Sequence, residues 1–96
     1  MMITFDQLKS ERNGQERGLP FSLVDDFGWS SALIKEDTRK DYGERRFQAL
    51  GFIAGRLHMI VFTPRAGVVH VISLRKANKR ESIHYGQSSQ AATSRP

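Results

Sequence analysis

The densest grouping of chemically useful side chains is Arg75-Lys76-Ala77-Asn78-Lys79-Arg80, which sets four cations within six residues. It falls where an apolar alternating run ends and helix-compatible residues begin. Cations at a helix start oppose the helix dipole, at about a few tenths to 1 kcal/mol for each badly placed one. A phosphate backbone offsets that cost, because the free N–H groups of a helix start and the fork of an arginine both suit phosphate oxygens. The plainer alternative is a solvated basic face that keeps the chain soluble. On a helix, Lys76 and Arg80 would lie one turn apart, with Ile83 continuing that face.

A second grouping is the mixed-charge run from Lys35 to Arg46. Cutting RNA without a metal needs a base for the 2′-hydroxyl proton, cations for the charge on phosphorus, and an acid for the leaving 5′-oxygen. Glu36, Asp37 and Glu44 are of the right type for the first task, and Arg39, Arg45 and Arg46 for the second. The competing reading is a turn held by local ion pairs. His58, His70 and His84 match no metal-ligand spacing and read as structural or surface residues. Whether His58 and His70 share a sheet face depends on strand register, since one residue of slip flips every side chain. No P-loop, dinucleotide fingerprint or Ser-His-Asp grouping occurs, and no metal or cofactor is expected.

The elements that must position these groups follow from spacing. Phe5 and Leu8 recur at helical intervals, with Thr4 and Gln7 as a possible capping box, and predict a first short helix. Ser22 is a plausible cap for a second one carrying Leu23, Val24 and Phe27. Trp29 to Ile34, Arg46 to Ile53, Leu57 to Thr63 and Val68 to Leu74 read as strands. Ala54-Gly55 joins the second to the third, and Pro64-Arg65-Ala66-Gly67 joins the third to the fourth, with Gly67 free to take positive φ. Ala77 to Tyr85 reads as a last helix that stops before Gly86. The expected fold is α+β: two short N-terminal helices, a sheet of about four antiparallel strands and a C-terminal helix. Residues 1–85 form one domain, and residues 86–96, without a large apolar side chain, are expected to be a disordered tail.

Composition narrows the function classes. With 96 residues and 39% hydrophobic side chains the chain can fold but cannot enclose a large cavity, so its site should be shallow. No cysteine occurs, which removes disulfides, thiolate metal sites and cysteine nucleophiles together. Neither a secretory signal nor an apolar stretch near the roughly 20 residues of a bilayer span is present, so no membrane association and a cytoplasmic location are expected. The net charge of +5 hides a split. Residues 1–44 carry six basic and nine acidic side chains (−3), and residues 45–96 carry nine basic and one acidic (+8). A basic half of this kind favours a polyanionic partner.

The block Glu36-Asp37-Thr38-Arg39-Lys40-Asp41-Tyr42-Gly43-Glu44-Arg45-Arg46-Phe47-Gln48-Ala49-Leu50-Gly51, followed by Gly55-Arg56 and by Ile72-Ser73-Leu74-Arg75-Lys76-Ala77-Asn78-Lys79-Arg80-Glu81, resembles the BrnT family of type II toxins. That family has a pattern close to EDxRxDYGExRFxALG, then GR, then IISxRKAxxRE. The resemblance runs from about Phe5 to Tyr85. It implies a RelE-like fold and an endoribonuclease that inhibits translation. It also implies a BrnA-like ribbon-helix-helix antitoxin that neutralises the toxin, and operator DNA bound indirectly through that antitoxin complex. Taken with the residues, it makes Arg75, Arg39, Arg80 and Glu36 the expected catalytic side chains and Lys76, Lys79, Lys9, Arg17 and Arg46 the expected RNA contacts. The N-terminal part departs from the family: Glu16-Arg17-Gly18 stands where Lys-His-Gly is usual. Arg17, always protonated, stabilises charge but cannot serve as a base. The alternative is therefore a catalytically weakened toxin that acts as a corepressor within the antitoxin complex. A third reading is a nucleic-acid-binding protein without such a partner.

Overall fold

Alternating apolar residues build a five-stranded sheet, in which the order is β1-β5-β4-β3-β2. The strands are β1 (Ile3–Phe5), β2 (Leu33–Asp37), β3 (Arg46–Ile53), β4 (Arg56–Arg65) and β5 (Val68–Lys76). Helix α1 (Gln7–Arg17) follows β1, 3₁₀ turns occupy Phe21–Asp26 and Trp29–Ser31, and helix α2 (Lys79–Thr93) follows β5. The computed structural model describes residues 2–93, with side chains through residue 88.

The α+β class expected from the sequence holds, with corrections to its parts. β1, read from sequence as the start of a helix, is a strand parallel to β5, which makes the sheet five-stranded and mixed. The helix begins after it. Asp6, not Thr4, is the N-cap, and its Oδ1 accepts a hydrogen bond from the Lys9 amide at 3.0 Å. The helix then runs through Gly14 and ends at Gly18, which adopts φ 69°. The second helix is only a 3₁₀ turn, and Trp29–Ser31 is another, so the first long strand starts later, at Leu33. α2 does not stop before Gly86 but continues to Thr93. Residues 94–96 of the expected tail lie outside the described ones.

The hairpins fit their residues. Ala54-Gly55 has φ of 48° and 77°, and Ala66-Gly67 has 52° and 79°. Two successive positive φ angles are what a two-residue loop between right-twisted strands requires.

The two faces of the sheet are treated differently. On the core face Phe47, Ala49, Ile53, Ile60, Phe62, Val69, Val71 and Leu74 are sealed by Leu19, Phe21, Val24 and Phe27. Phe27 lies so close that a Cβ on Gly51 would come within 2.6 Å of its ring. α1 is fixed beside the part of β5 that extends beyond β1: the Asn13 amide donates to the carbonyls of Leu19 (2.7 Å) and Leu74 (2.9 Å). On the opposite face, α2 crosses the strands at one end only. It starts by Ala77, whose N–H meets the Leu57 carbonyl at 3.0 Å, and reaches Tyr85, whose hydroxyl donates to the Ser31 carbonyl at 2.8 Å. Beneath it Leu50, Leu57 and Met59 are buried. Between α2 and the β2–β3 loop, the middle of this face is uncovered among the described residues.

Candidate nucleic-acid interface

Strand register places the open-face side chains in rows. Asp37 stands opposite Arg46 at the outer end. Lys35, Gln48, Val61 and Ser73 form the next row, and Leu33, Leu50, Met59 and Arg75 the one beneath α2. A β-bulge decides who is present. Val61 opposes Ser73 while Phe62 opposes Val71, so Ile72 is an extra residue. His70 and Arg75 are five positions apart and would otherwise point to opposite faces; the bulge brings both to the open one. His58 points the other way, which answers the register question: the two histidines do not share a face.

The result is a trough across the strands, walled by α2 on one side and by the β2–β3 loop on the other. Four residues separate Leu50 from Arg46 along β3, so the trough is about 13 Å across. Its cleft beneath α2 has a volume of about 580 Å³. Leu33, Leu50 and Met59 floor it, and Lys35, Gln48, Arg80, Glu81 and His84 add polar groups.

Arg75 sits at the inner wall in a two-pronged ion pair. Its Nη1 and Nη2 donate to Glu81 Oε1 and Oε2, both at 2.7 Å. Glu81 Oε1 also accepts the Asn78 amide at 2.9 Å, and Asn78 Oδ1 accepts the Glu81 amide at 2.8 Å. One carboxylate thus orients the arginine and caps the helix. Hydrogen bonding to Arg75 holds the Glu81 carboxyl below its ordinary pKa against the opposing effect of burial, with help from the Asn78 amide and the Lys35 charge. Glu81 in turn raises Arg75, and the Arg39 charge acts on Arg75 in the opposite sense, so Arg39 is within electrostatic reach of it.

Arg39 is on the outer wall. Its Nε and Nη2 donate to the two oxygens of Asp37, each at 2.8 Å, and the Tyr42 hydroxyl donates to Asp37 Oδ2 at 3.1 Å. The Asp37 side chain is 2% exposed and the Arg39 side chain 72%, so the acid anchors while the base faces solvent. These hydrogen bonds, that of Arg39 above all, keep the Asp37 carboxyl far below the usual carboxylate range. Arg46 stacks its guanidinium on the Tyr42 ring at 4.2 Å, and its Nε is buried without a partner.

Of the residues singled out from the sequence, Arg75, Arg80, Arg39 and Arg46 come together on the trough. Glu36 does not: it opposes Phe47 and so lies toward the core face, in a two-pronged pair with Arg45 at 2.9 and 3.0 Å. Alternation carries Glu36 away from its neighbour Asp37. Lys76 ends β5 on that same face, opposite His58, and the helical relation expected between Lys76 and Arg80 fails because α2 begins only at Lys79. Lys79 is exposed and is not among the residues lining the cleft. Lys9 and Arg17 are one turn on either side of Asn13, on the stripe of α1 that faces the β5 edge. Lys9 is within electrostatic reach of His70 on the open face. Much of the run from Lys35 to Arg46 is thus the ion-paired turn of the competing reading.

Sequence reasoning missed Glu81, Lys35, Gln48 and His84. Glu81 had a signal: it is the single acid among residues 45–96 and follows Asn78 at capping-box spacing. Gln48 and Lys35 had none, because only register puts them in one row. Among the described residues no helix is long and apolar enough to cross a membrane. The model of the family described as ribonuclease toxin, BrnT, of type II toxin–antitoxin systems matches residues 5–81. No curated protein matches the chain.

Proposed function

The chain belongs to the BrnT family of ribonuclease toxins of type II toxin–antitoxin systems, and from that premise we propose that the trough is where it binds and cuts RNA, without a metal. The observation that supports this reading is the register that puts Arg75, Lys35 and Arg46 on one face of the sheet, with Lys35 and Arg80 lining the cleft beside Glu81, the carboxylate paired with Arg75. In the reaction the 2′-oxygen loses its proton and attacks phosphorus, the 5′-oxygen leaves with a proton, and a 2′,3′-cyclic phosphate remains. In this reading Arg75 stabilises the charge on phosphorus. Glu81 prevents its guanidinium from swinging, so the orienting cost is met before RNA arrives. Glu81 and His84 are the proton-carrying groups that line the cleft. The protein acts in the cytoplasm and is neutralised by a BrnA-like ribbon-helix-helix antitoxin, through which the pair reaches operator DNA.

A second reading is favoured by one observation: both terminal nitrogens of Arg75 are engaged by Glu81 and two nitrogens of Arg39 by Asp37. A toxin whose two best arginines stay locked to carboxylates would bind its antitoxin and repress without cutting. One experiment separates the readings. The purified chain is incubated with end-labelled RNA in EDTA, beside Arg75→Ala. The proposal expects cleavage to 2′,3′-cyclic phosphate ends in EDTA and a loss on the order of a hundredfold in Arg75→Ala. Cleavage that appears only when a divalent cation is added removes the metal-independent mechanism, and absence of cleavage alongside tight antitoxin binding favours the second reading.

A further inference from the structure

The floor of the trough holds an uncommitted amide. Gln48 is central in the open-face row, between Lys35 on β2 and Val61 on β4, and is half-buried. Among the described residues its side chain takes part in none of the hydrogen bonds that tie down its charged neighbours. Below it lie Leu33, Leu50 and Met59, and Lys35 and Arg80 stand at the mouth of the same cleft. The cleft volume of about 580 Å³ is in the range of small-molecule sites.

An apolar floor, one donor–acceptor amide and flanking cations match the parts of a nucleotide: the face of a base, its edge and its phosphate. An apolar peptide side chain would cover the same floor but would bury the amide unpaired, which is costly. An acidic one would suit the cations but not Leu33, Leu50 and Met59. We propose that this part of the cleft is a nucleobase subsite, read by Gln48, with a preference for adenine. Adenine is chosen because the pairing characteristic of glutamine is two-pronged with adenine N7 and the N6 amino group, whereas a carboxylate there would accept from the cytosine amino group. Met59 and Leu50 carry the face of the base while Lys35 and Arg80 take its phosphate. The inference rests on the reading of the trough as an RNA site, but it concerns which base is held and not whether the strand is cut.

The test uses fluorescently labelled 2′-O-methyl oligoribonucleotides of each base, which 2′-oxygen attack cannot cut, at one fixed salt concentration. The wild-type chain is expected to bind the adenine oligomer about tenfold more tightly than the other three. Gln48→Ala should bring the four within about twofold of one another, and the isosteric Gln48→Glu should move the preference to cytosine. Circular dichroism and the thermal midpoint verify that both variants fold. A wild type without adenine preference, or a preference that survives Gln48→Ala, overturns the subsite. If the wild type binds and prefers adenine but ordinary RNA is not cut, the subsite stands and the nuclease reading falls. If ordinary RNA is cut but the oligomers show no adenine preference, only the subsite falls, and if no oligomer binds and ordinary RNA is not cut, both do.

Discussion

The two faces of the sheet are built from alternate residues of the same strands and differ in nearly every respect. The core face presents Ala49, Ile60 and Val71, each at most 1% exposed, to the aromatic residues of the 3₁₀ turns. The open face presents Lys35, Gln48, Ser73 and Arg75 to solvent, with α2 covering one end. Three of its charged groups are held by a neighbour: Arg75 by Glu81, Arg39 by Asp37, Arg46 by the Tyr42 ring. The contrast teaches that period-2 alternation separates stability from function within single strands. In β5 the inserted Ile72 sets which residues do which, so that Val71 and Leu74 belong to the core and Ser73 and Arg75 to the trough.

The sharpest way to test that separation is to damage the core face alone. Ile60 is fully buried at the centre of β4. Ile60→Ala leaves a cavity among Phe62, Ala49 and Leu74, and should cost about 2–5 kcal/mol in urea unfolding. Adenine-oligomer affinity of the remaining folded protein should stay within about twofold of wild type. A tenfold loss of affinity at temperatures where the variant is folded would show that the two faces are energetically one unit.

A smaller effect is expected where the separation is weakest, at Glu81, which caps α2 and holds Arg75 together. The folded Glu81 carboxyl lies below its ordinary value of 4.5. Its contribution is therefore fully present above that value and is lost as pH falls from it through the folded one, because below both values the carboxyl is protonated in either state. Glu81→Gln should lower stability by about 1 kcal/mol at neutral pH, a figure that allows for solvent screening of an arginine that is 38% exposed. The deficit relative to wild type should shrink as the pH is taken from 6 to 3, followed by urea unfolding at each pH. A deficit that does not change over that range would mean that the carboxylate charge contributes nothing.

What the sequence discloses about these faces follows physical lines. The three long strands and their two tight turns are legible because alternation and Gly55 and Gly67 are local features. β1 is not, since three residues of strand are stabilised by a partner 66 positions away, as in the pairing of Thr4 with His70. β2 is obscured because an edge strand with Lys35, Glu36 and Asp37 looks like a charged loop. The Arg75–Arg80 cluster is visible as charge, but its division between trough and core face is not, because one bulged residue sets it. The same limit applies to Glu36 and Asp37, which adjoin in sequence and serve opposite faces.

That adjacency supplies the smallest prediction. Glu36 has the right chemistry for a general base, and its carboxyl is held below the ordinary range, chiefly by hydrogen bonds from Arg45. It nevertheless opposes Phe47, and Arg45 packs its guanidinium 5.1 Å from the centre of that ring, so the pair clothes the rim of the core face. Backbone alternation cannot bring its oxygens to the row that holds Gln48 and Ser73 without a register slip, and such a slip would also expel Phe47 from the core. Glu36→Gln should therefore change RNA cleavage by less than about twofold, against the hundredfold or more expected when an essential charge-stabilising group is lost. The measurement is a single-turnover rate for Glu36→Gln beside Arg75→Ala at equal folded concentration. A large loss at Glu36 would place the reacting phosphate outside the trough, at the loop edge between Arg45 and Arg39, and would reverse the assignment of the two faces.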